Sequence, residues 1–247
     1  MPKLNYNNVM KSKDGRIRVS PSSLNVFLEC PKCFWSDLAQ GVGRPRGIFP
    51  SLPGGMDGLI KKYFDGYRAK GKLPPELVGK LGNVELFADN ELLNQWRNWR
   101  SALVYEDPES GAILSGMLDD LGQDGKLFVP LDYKTRGFDV KEGGESYYQN
   151  QLNCYALLLR ENGMKPAGYA YLLYYIPKEV AENGMTRFDV VPKRVEVDPD
   201  TALKTVRDAA KLLKGPMPKS HTECEYCGYA RGYLHETKEG GASPTLF

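Results

Sequence analysis

Two Cys-x-x-Cys pairs, Cys30-Pro31-Lys32-Cys33 and Cys224-Glu225-Tyr226-Cys227, stand almost two hundred residues apart in a chain of 247. Four thiolates in two such pairs bind Zn²⁺ tetrahedrally or hold an iron–sulfur cluster. Either centre ties the carboxy-terminal segment to the first helix, closing a long loop and stabilising the fold without taking part in chemistry. The alternative, four unligated surface thiols, is an oxidation liability at this density. The fifth cysteine, Cys154, sits among Leu152, Ala156 and Leu157 and reads as an inert core thiol.

Composition bounds the rest. At 41% hydrophobic the chain can bury a full core, and at 26% charged it is neither a disordered tail nor a membrane protein. Lys and Arg total 33 against 31 Asp and Glu, a net charge of +2, which excludes a strongly basic histone-like binder. Contact with nucleic acid must then come from a local basic surface. Met1 to Asn8 has no apolar run of the secretory kind, and Tyr169 to Ile176 falls far short of the roughly 20 residues of a membrane span. The expectation is a soluble, cytoplasmic protein without membrane contact, and there paired CxxC motifs point to metal rather than disulfides.

Residues 1–18 are polar and charged and read as a flexible lead-in, 19–235 as one domain including the four-cysteine module, and 236–247 as a flexible tail. Ser20-Pro21 marks a helix start, with Leu24, Phe27 and Leu28 as its buried stripe. Gly41 to Gly55, with five Gly and three Pro, reads as a loop. Met56 to Tyr67 is helical in pattern, with Leu59, Ile60, Tyr63 and Phe64 on one face and Lys61, Lys62 and Arg68 towards solvent. Glu91 to Trp99 is amphipathic. Ile113 to Leu121 and Leu127 to Thr135 read as two strands joined through Gly122-Gln123-Asp124-Gly125. Then come a helix from Tyr147 to Glu161, strands over 168–176 and 187–197, and a helix from Pro199 to Leu213. This order predicts an α/β fold, a mixed central sheet flanked by helices in one domain.

Chemistry concentrates in Gly116-Met117-Leu118-Asp119 and Leu131-Asp132-Tyr133-Lys134-Thr135. Side chains two apart on a strand share a face, so Asp132 and Lys134 point the same way. A carboxylate beside an ammonium among apolar neighbours is costly unless the site is open and used. Phosphodiester hydrolysis needs such parts: hard oxygen ligands for Mg²⁺ or Mn²⁺, and a cation that positions water and offsets charge growing on phosphorus. A tight turn at Gln123-Asp124 pairs Asp119 with Phe128, about four residues or roughly 13 Å short of Asp132. A bulge or strong twist must then close the gap, with Pro130 as its place. A surface ion pair beside an edge turn stays open as the plainer reading.

The series Gly-x-x-Asp, Asp132-Tyr133-Lys134-Thr135 and Gln151-x-x-x-Tyr155, with the opening helix from Ser20 to Phe34, resembles the PD-(D/E)XK nuclease superfamily, and within it the RecB-like and CRISPR-adaptation exonucleases. The resemblance runs in patches from residue 20 to about 230 and implies a restriction-endonuclease-like core. It implies that Asp119 and Asp132 ligate the metal, with the Tyr133 carbonyl as a further ligand, and that Lys134 is the catalytic lysine. Gln151 and Tyr155, at i and i+4, share a helix face that meets the site or the DNA strand, or else packs helix to sheet. This branch carries a His on the second helix, where the present chain has Gly54-Gly55-Met56-Asp57. Asp57 then stands as a substitute ligand, or as a helix-start residue favoured by the macrodipole. The iron–sulfur members place one cysteine at the amino terminus and three at the carboxy terminus. The two-plus-two set here departs from that pattern, since Cys33 must supply the fourth ligand; the expected occupant of Cys30, Cys33, Cys224 and Cys227 is a [4Fe–4S] cluster, with Zn²⁺ as the alternative.

Lys204, Arg207, Lys211 and Lys214 form a basic stripe on the last predicted helix, read first as a solvated face and otherwise as a phosphate track. Lys61, Lys62, Arg68, Lys70 and Lys72 form a second basic group near Asp57. Tyr147, Tyr148, Tyr174 and Tyr175 either pack or stack unpaired bases. The resulting expectation is a metal-dependent deoxyribonuclease acting on DNA ends or single strands, in repair, recombination or CRISPR adaptation, with proteins of those systems as partners. One rival is a non-catalytic nucleic-acid-binding subunit of a recombination or CRISPR complex. The other is a four-cysteine structural protein whose acidic motif is accidental.

Overall fold

Ser20 caps the first helix reciprocally: its hydroxyl accepts from the Ser23 N–H, and the Ser23 hydroxyl accepts from the Ser20 N–H. The computed structural model describes residues 15–45, 47 and 51–238, with side chains as far as 232. Most of the expected lead-in and nearly all of the expected tail therefore lie outside the described residues. Helix α1 (Pro21–Glu29) passes through Cys30 directly into α2 (Pro31–Gln40), which Gly41 ends at φ +73°. Helix α3 (Ser51–Arg68) begins five residues before the expected Met56, so Pro53, Gly54 and Gly55 are helical rather than loop. Pro53 lies within the first turn, where a missing N–H costs no helical hydrogen bond.

Two sheets carry the rest. A small sheet places β1 (Arg18–Val19) parallel to β4 (Ile113–Gly116), which pairs antiparallel with β3 (Leu103–Glu106). The main sheet has the order β2 (Glu85–Leu86), β5 (Asp120–Asp124), β6 (Leu127–Thr135), β7 (Tyr169–Val180), β8 (Thr186–Glu196). Only β6 and β7 run parallel in it, joined by α5 (Gln149–Glu161). Helix α4 (Asn90–Trp96) precedes β3, while α6 (Pro199–Leu213) and α7 (Glu225–Lys238) close the chain. The fold is thus the mixed α/β arrangement with flanking helices that the element order predicts.

Each face of the main sheet has its own core. Helix α5 packs Leu152, Tyr155 and Leu159 into the cluster that holds Leu172, Tyr174 and Ile176, together with α1, α2 and α6. Helix α3 sets Ile60 and Phe64 against Val129, Leu131, Tyr133, Leu173 and Tyr175 on the other face. Its buried stripe is narrower than expected, running Ile60, Phe64, Arg68 at steps of four, while Leu59 and Tyr63 are exposed and Arg68 is buried.

The expected hairpin is corrected in two ways. Its first strand is broken: β4 ends at Gly116 and β5 begins at Asp120 in the other sheet. At Gly116 helix α5 comes so close that an added Cβ would lie 2.7 Å from Leu158 Cδ1, so a larger residue there would push that methyl aside. The turn also falls two residues later, between Asp124 and Leu127, with Gly125 at φ +60° supplying the left-handed first position that a Gly-first hairpin turn needs. The ladder then runs regularly from Asp124↔Leu127 to Asp120↔Leu131. Pro130 stands opposite Leu121 without a bulge.

Candidate active site

The later turn is what assembles the acidic pair. Asp119 lies in the bend entering β5, one residue before the Asp120↔Leu131 pair, so the register sets it against Asp132. The two carboxylates interact side chain to side chain. Neither bulge nor twist is called on to close a gap, because the four-residue offset belonged to the wrong turn.

Asp132 is completely buried. Burial pushes its carboxyl up to about 7; the Lys134 charge pulls against this, and Asp119 adds to it. Gln151 Nε2 donates to Asp132 Oδ1 at 3.0 Å and to Tyr155 Oη at 2.6 Å, using both of its amide hydrogens. Lys134 Nζ forms a close ion pair with Asp132 Oδ2. Lys134 also donates to Gln151 Oε1 at 3.4 Å and sits 4.5 Å over the Tyr148 ring. The Tyr155 hydroxyl is held well above its usual range by burial and by the charges of Asp132 and Asp119.

The third acid approaches from α3. Lys61 Nζ lies 2.8 Å from Asp57 Oδ2 and 3.0 Å from Asp119 Oδ1, so the lysine expected towards solvent turns inward between two carboxylates. Burial acts to lower its ionisation, but Asp119 and Asp57 outweigh it and raise it. The other Asp119 oxygen accepts from the Tyr133 backbone N–H at 3.4 Å. Lys61, Asp57, Asp119, Asp132, Lys134, Gln151 and Tyr155 are therefore joined in one chain of polar contacts. Periodicity missed Lys61, because its inward turn depends on an acid from a distant strand.

On the other face of the sheet lies a network that sequence reasoning missed. Asp120, fully buried, takes Arg68 Nη2 at 2.5 Å, Arg97 Nη2 at 2.9 Å and the Tyr133 hydroxyl. Arg97 also donates through Nε to the Asp119 carbonyl at 2.8 Å and pairs with Asp65 at 2.9 Å. The only sequence signal was the Asp119-Asp120 doublet at a strand entry.

Where the start of α2 meets the start of α7 the four cysteines converge, with all Sγ atoms within 4.8 Å of one another. Cys33 lies 3.6 Å from both Cys224 and Cys227, and Cys30 lies 3.9 Å from Cys227. Burial acts to raise the Cys30 thiol, yet the Cys33 and His221 backbone groups and the neighbouring thiols bring it down to about 6. Burial and the adjacent thiols push Cys227 up to about 12. Thiols this crowded cannot all ionise without a cation among them, so the donor set fits a bound metal.

The remaining surfaces are less open than the sequence allows. On α6, Lys204 pairs with Asp208 and Arg207 with Asp107 and Glu109, so these two charges of the stripe are locally neutralised, while Lys214 donates to the Ser110 carbonyl. Tyr174 and Tyr175 are buried in the two cores, while Tyr147 is exposed. No helix among the described residues is long and apolar enough to cross a membrane.

No curated protein matches the chain. Ten chains of solved structures are similar, among them the crystal structure of SSO0001, with a TM-score of 0.45 and 16% identity over 87% of this chain and 84% of that one. The family pattern described as PD-(D/E)XK nuclease superfamily matches residues 64–231, more than half of the chain and the stretch that contains Asp119, Asp132, Lys134, Gln151 and Tyr155. The chain belongs to the PD-(D/E)XK nuclease superfamily.

Proposed function

We propose that this protein is a divalent-metal-dependent deoxyribonuclease that hydrolyses phosphodiester bonds, an exonuclease on DNA ends or single strands. Its setting is DNA repair, recombination or CRISPR adaptation, in the cytoplasm and beside the proteins of those systems. One observation carries the reading: the fully buried Asp132 carboxylate and the half-buried Asp119 carboxylate face each other beside Lys134, whose ammonium pairs with the second Asp132 oxygen. A divalent cation suits that pair of carboxylates. Asp119, Asp132 and the Tyr133 carbonyl would hold Mg²⁺ or Mn²⁺. When bound, such an ion offsets negative charge on the phosphate and lowers the pKa of water.

The side chains divide the remaining work. Lys134 orients the attacking water and offsets charge on phosphorus, and its position is fixed by Asp132, Gln151 and the Tyr148 ring. Gln151 positions Asp132 and Lys134 together, and Tyr155 orients Gln151. Exposed Tyr147, whose ring lies 5.1 Å from that of Tyr148 beside Lys134, offers a ring face to unpaired bases as substrate.

At the four cysteines we propose a structural metal. A zinc ion with Zn–S bonds of about 2.3 Å spaces its sulfurs about 3.8 Å apart. The 3.6 to 3.9 Å pairs favour that single ion over the [4Fe–4S] cluster expected from the resemblance. Protein purified without oxygen separates the two, since a cluster is brown and zinc is colourless.

Incubation with labelled single- and double-stranded DNA plus Mg²⁺ or Mn²⁺ tests the enzyme. Wild type is expected to cleave, and Lys134→Ala and Asp119→Ala to lose at least about a hundredfold in rate. Cleavage that survives both substitutions overturns the site. Binding without cleavage by wild type replaces the enzyme with the nucleic-acid-binding subunit.

A further inference from the structure

Among the described residues, Lys61 is the lysine whose ammonium pairs with two carboxylates. Its ammonium bridges Asp57 on α3 and Asp119 at the entry to β5, and its side chain is 21% exposed, against 79% for Lys204 on α6. The root of the side chain is fixed as well, because Ile60 and Phe64 of the same helix are buried against β6. Two carboxylates from separate elements with a cation between them is how a cleft holds a divalent ion. Here the cation belongs to the chain.

Charge arithmetic points the same way. Asp57, Asp119 and Asp132 bring three negative charges, and Lys61 and Lys134 two positive ones, leaving the ionised site at −1. One divalent ion takes it to +1, which a single phosphodiester neutralises. A second ion would leave +2 with substrate bound, in a site whose central carboxylate is fully buried. Asp119 also lacks room for two ions, since one oxygen is engaged by Lys61 and the other faces the Tyr133 N–H and Asp132.

We infer that Lys61 is a built-in second cation: it occupies the place between Asp57 and Asp119, so that the carboxylate site takes one divalent ion, on Asp119 and Asp132. Asp57 is then the positioning partner of Lys61 rather than a metal ligand. This rests on the metal-dependent nuclease reading and narrows it to single-ion chemistry, with an ammonium as the fixed charge opposite Lys134.

The test is a count of Mn²⁺ bound by the full chain without DNA, by calorimetry and by the electron paramagnetic resonance of free Mn²⁺. Metal at the cysteine centre is counted separately by elemental analysis. Wild type is expected to bind one ion and Lys61→Met two, with circular dichroism checking the fold of the variant. Asp57→Asn, at a half-exposed position, is expected to keep the one ion with its affinity changed by less than about tenfold, the low end for an outer-sphere partner. Two ions on wild type, one of them lost in Asp57→Asn, overturn the inference, as does a single ion on both wild type and Lys61→Met. A wild type that binds no ion sinks the underlying nuclease reading, a distinguishable failure. If Lys61→Met does not fold, the wild-type count and Asp57→Asn decide alone.

Discussion

Asp119 and Asp120 are adjacent in sequence and face opposite sides of one sheet, and their surroundings could hardly differ more. Asp120 is saturated: two arginines, the Tyr133 hydroxyl and the Leu121 N–H all reach its oxygens. Asp132, the cross-strand neighbour of Asp119, is less fully compensated: one oxygen accepts from the Gln151 amide, the other faces the Lys134 ammonium, and burial still holds the carboxyl up to about 7. A buried acid with every lone pair used is architecture, because its compensation is complete without any ligand. An acid left under-compensated costs stability and is kept where something else is meant to bind. Arg97 joins the two regions, since it pairs with Asp120 and holds the Asp119 carbonyl, so the saturated side fixes the backbone of the unsaturated one.

The hardest test of this contrast is the same substitution on each side. Asp120→Asn leaves Arg68 and Arg97 buried without their full counter-charge, and urea unfolding is expected to show a loss of about 3–5 kcal/mol. Asp132→Asn removes a buried charge that lacked full compensation. It is expected to leave stability unchanged or raised near pH 8 while abolishing Mn²⁺-dependent cleavage. Equal destabilisation by both changes would erase the distinction.

A second test uses pH. A raised folded-state value means that the native chain holds the Asp132 proton where the unfolded chain has released it. Metal-free stability should therefore fall as pH rises from about 4, the unfolded value, to about 7, and then level off. Asp132→Asn should lack that slope. Because an ion must displace the same proton, Mn²⁺ affinity should drop about tenfold per pH unit below about 7, and the ion should raise the melting temperature more near pH 8 than near pH 6. Calorimetry across this range measures both.

What the sequence reveals follows the reach of each interaction. Helix α1 with its Ser20 cap, helix α6 with its exact Pro199–Leu213 span, and the shared face of Asp132 and Lys134 are set by neighbours a few residues away, and all were readable. The hairpin register was not, because two turn placements over Gly122 to Lys126 satisfy the same composition and only the sheet chooses between them. Lys61 and Arg97 were hidden for another reason. A charged residue on an amphipathic helix counts as solvent-facing until its partner is known, and these partners come from Asp119 and Asp120 in a different element. The meeting of Cys30 and Cys33 with Cys224 and Cys227 was readable despite its distance in sequence, because thiol chemistry demands it.

The finest division between the two faces is between two hydroxyls. Tyr133 Oη donates to the saturated Asp120, and Tyr155 Oη accepts from the amide that positions Asp132. Tyr133→Phe removes a hydrogen bond to a charged group and is expected to cost about 1.5–3 kcal/mol of stability. Its kcat should stay close to that of wild type, since Arg97 still holds the Asp119 carbonyl. Tyr155→Phe removes a neutral partner, worth about 0.5–1.5 kcal/mol, and frees one Gln151 hydrogen from its anchor. Its effect belongs to chemistry: kcat is expected to fall about tenfold at unchanged KM, the mark of an interaction that matters in the transition state rather than in substrate binding. If Tyr155→Phe instead shifts stability alone, the α5 side is packing like the α3 side, and the asymmetry between the faces narrows to the carboxylates themselves.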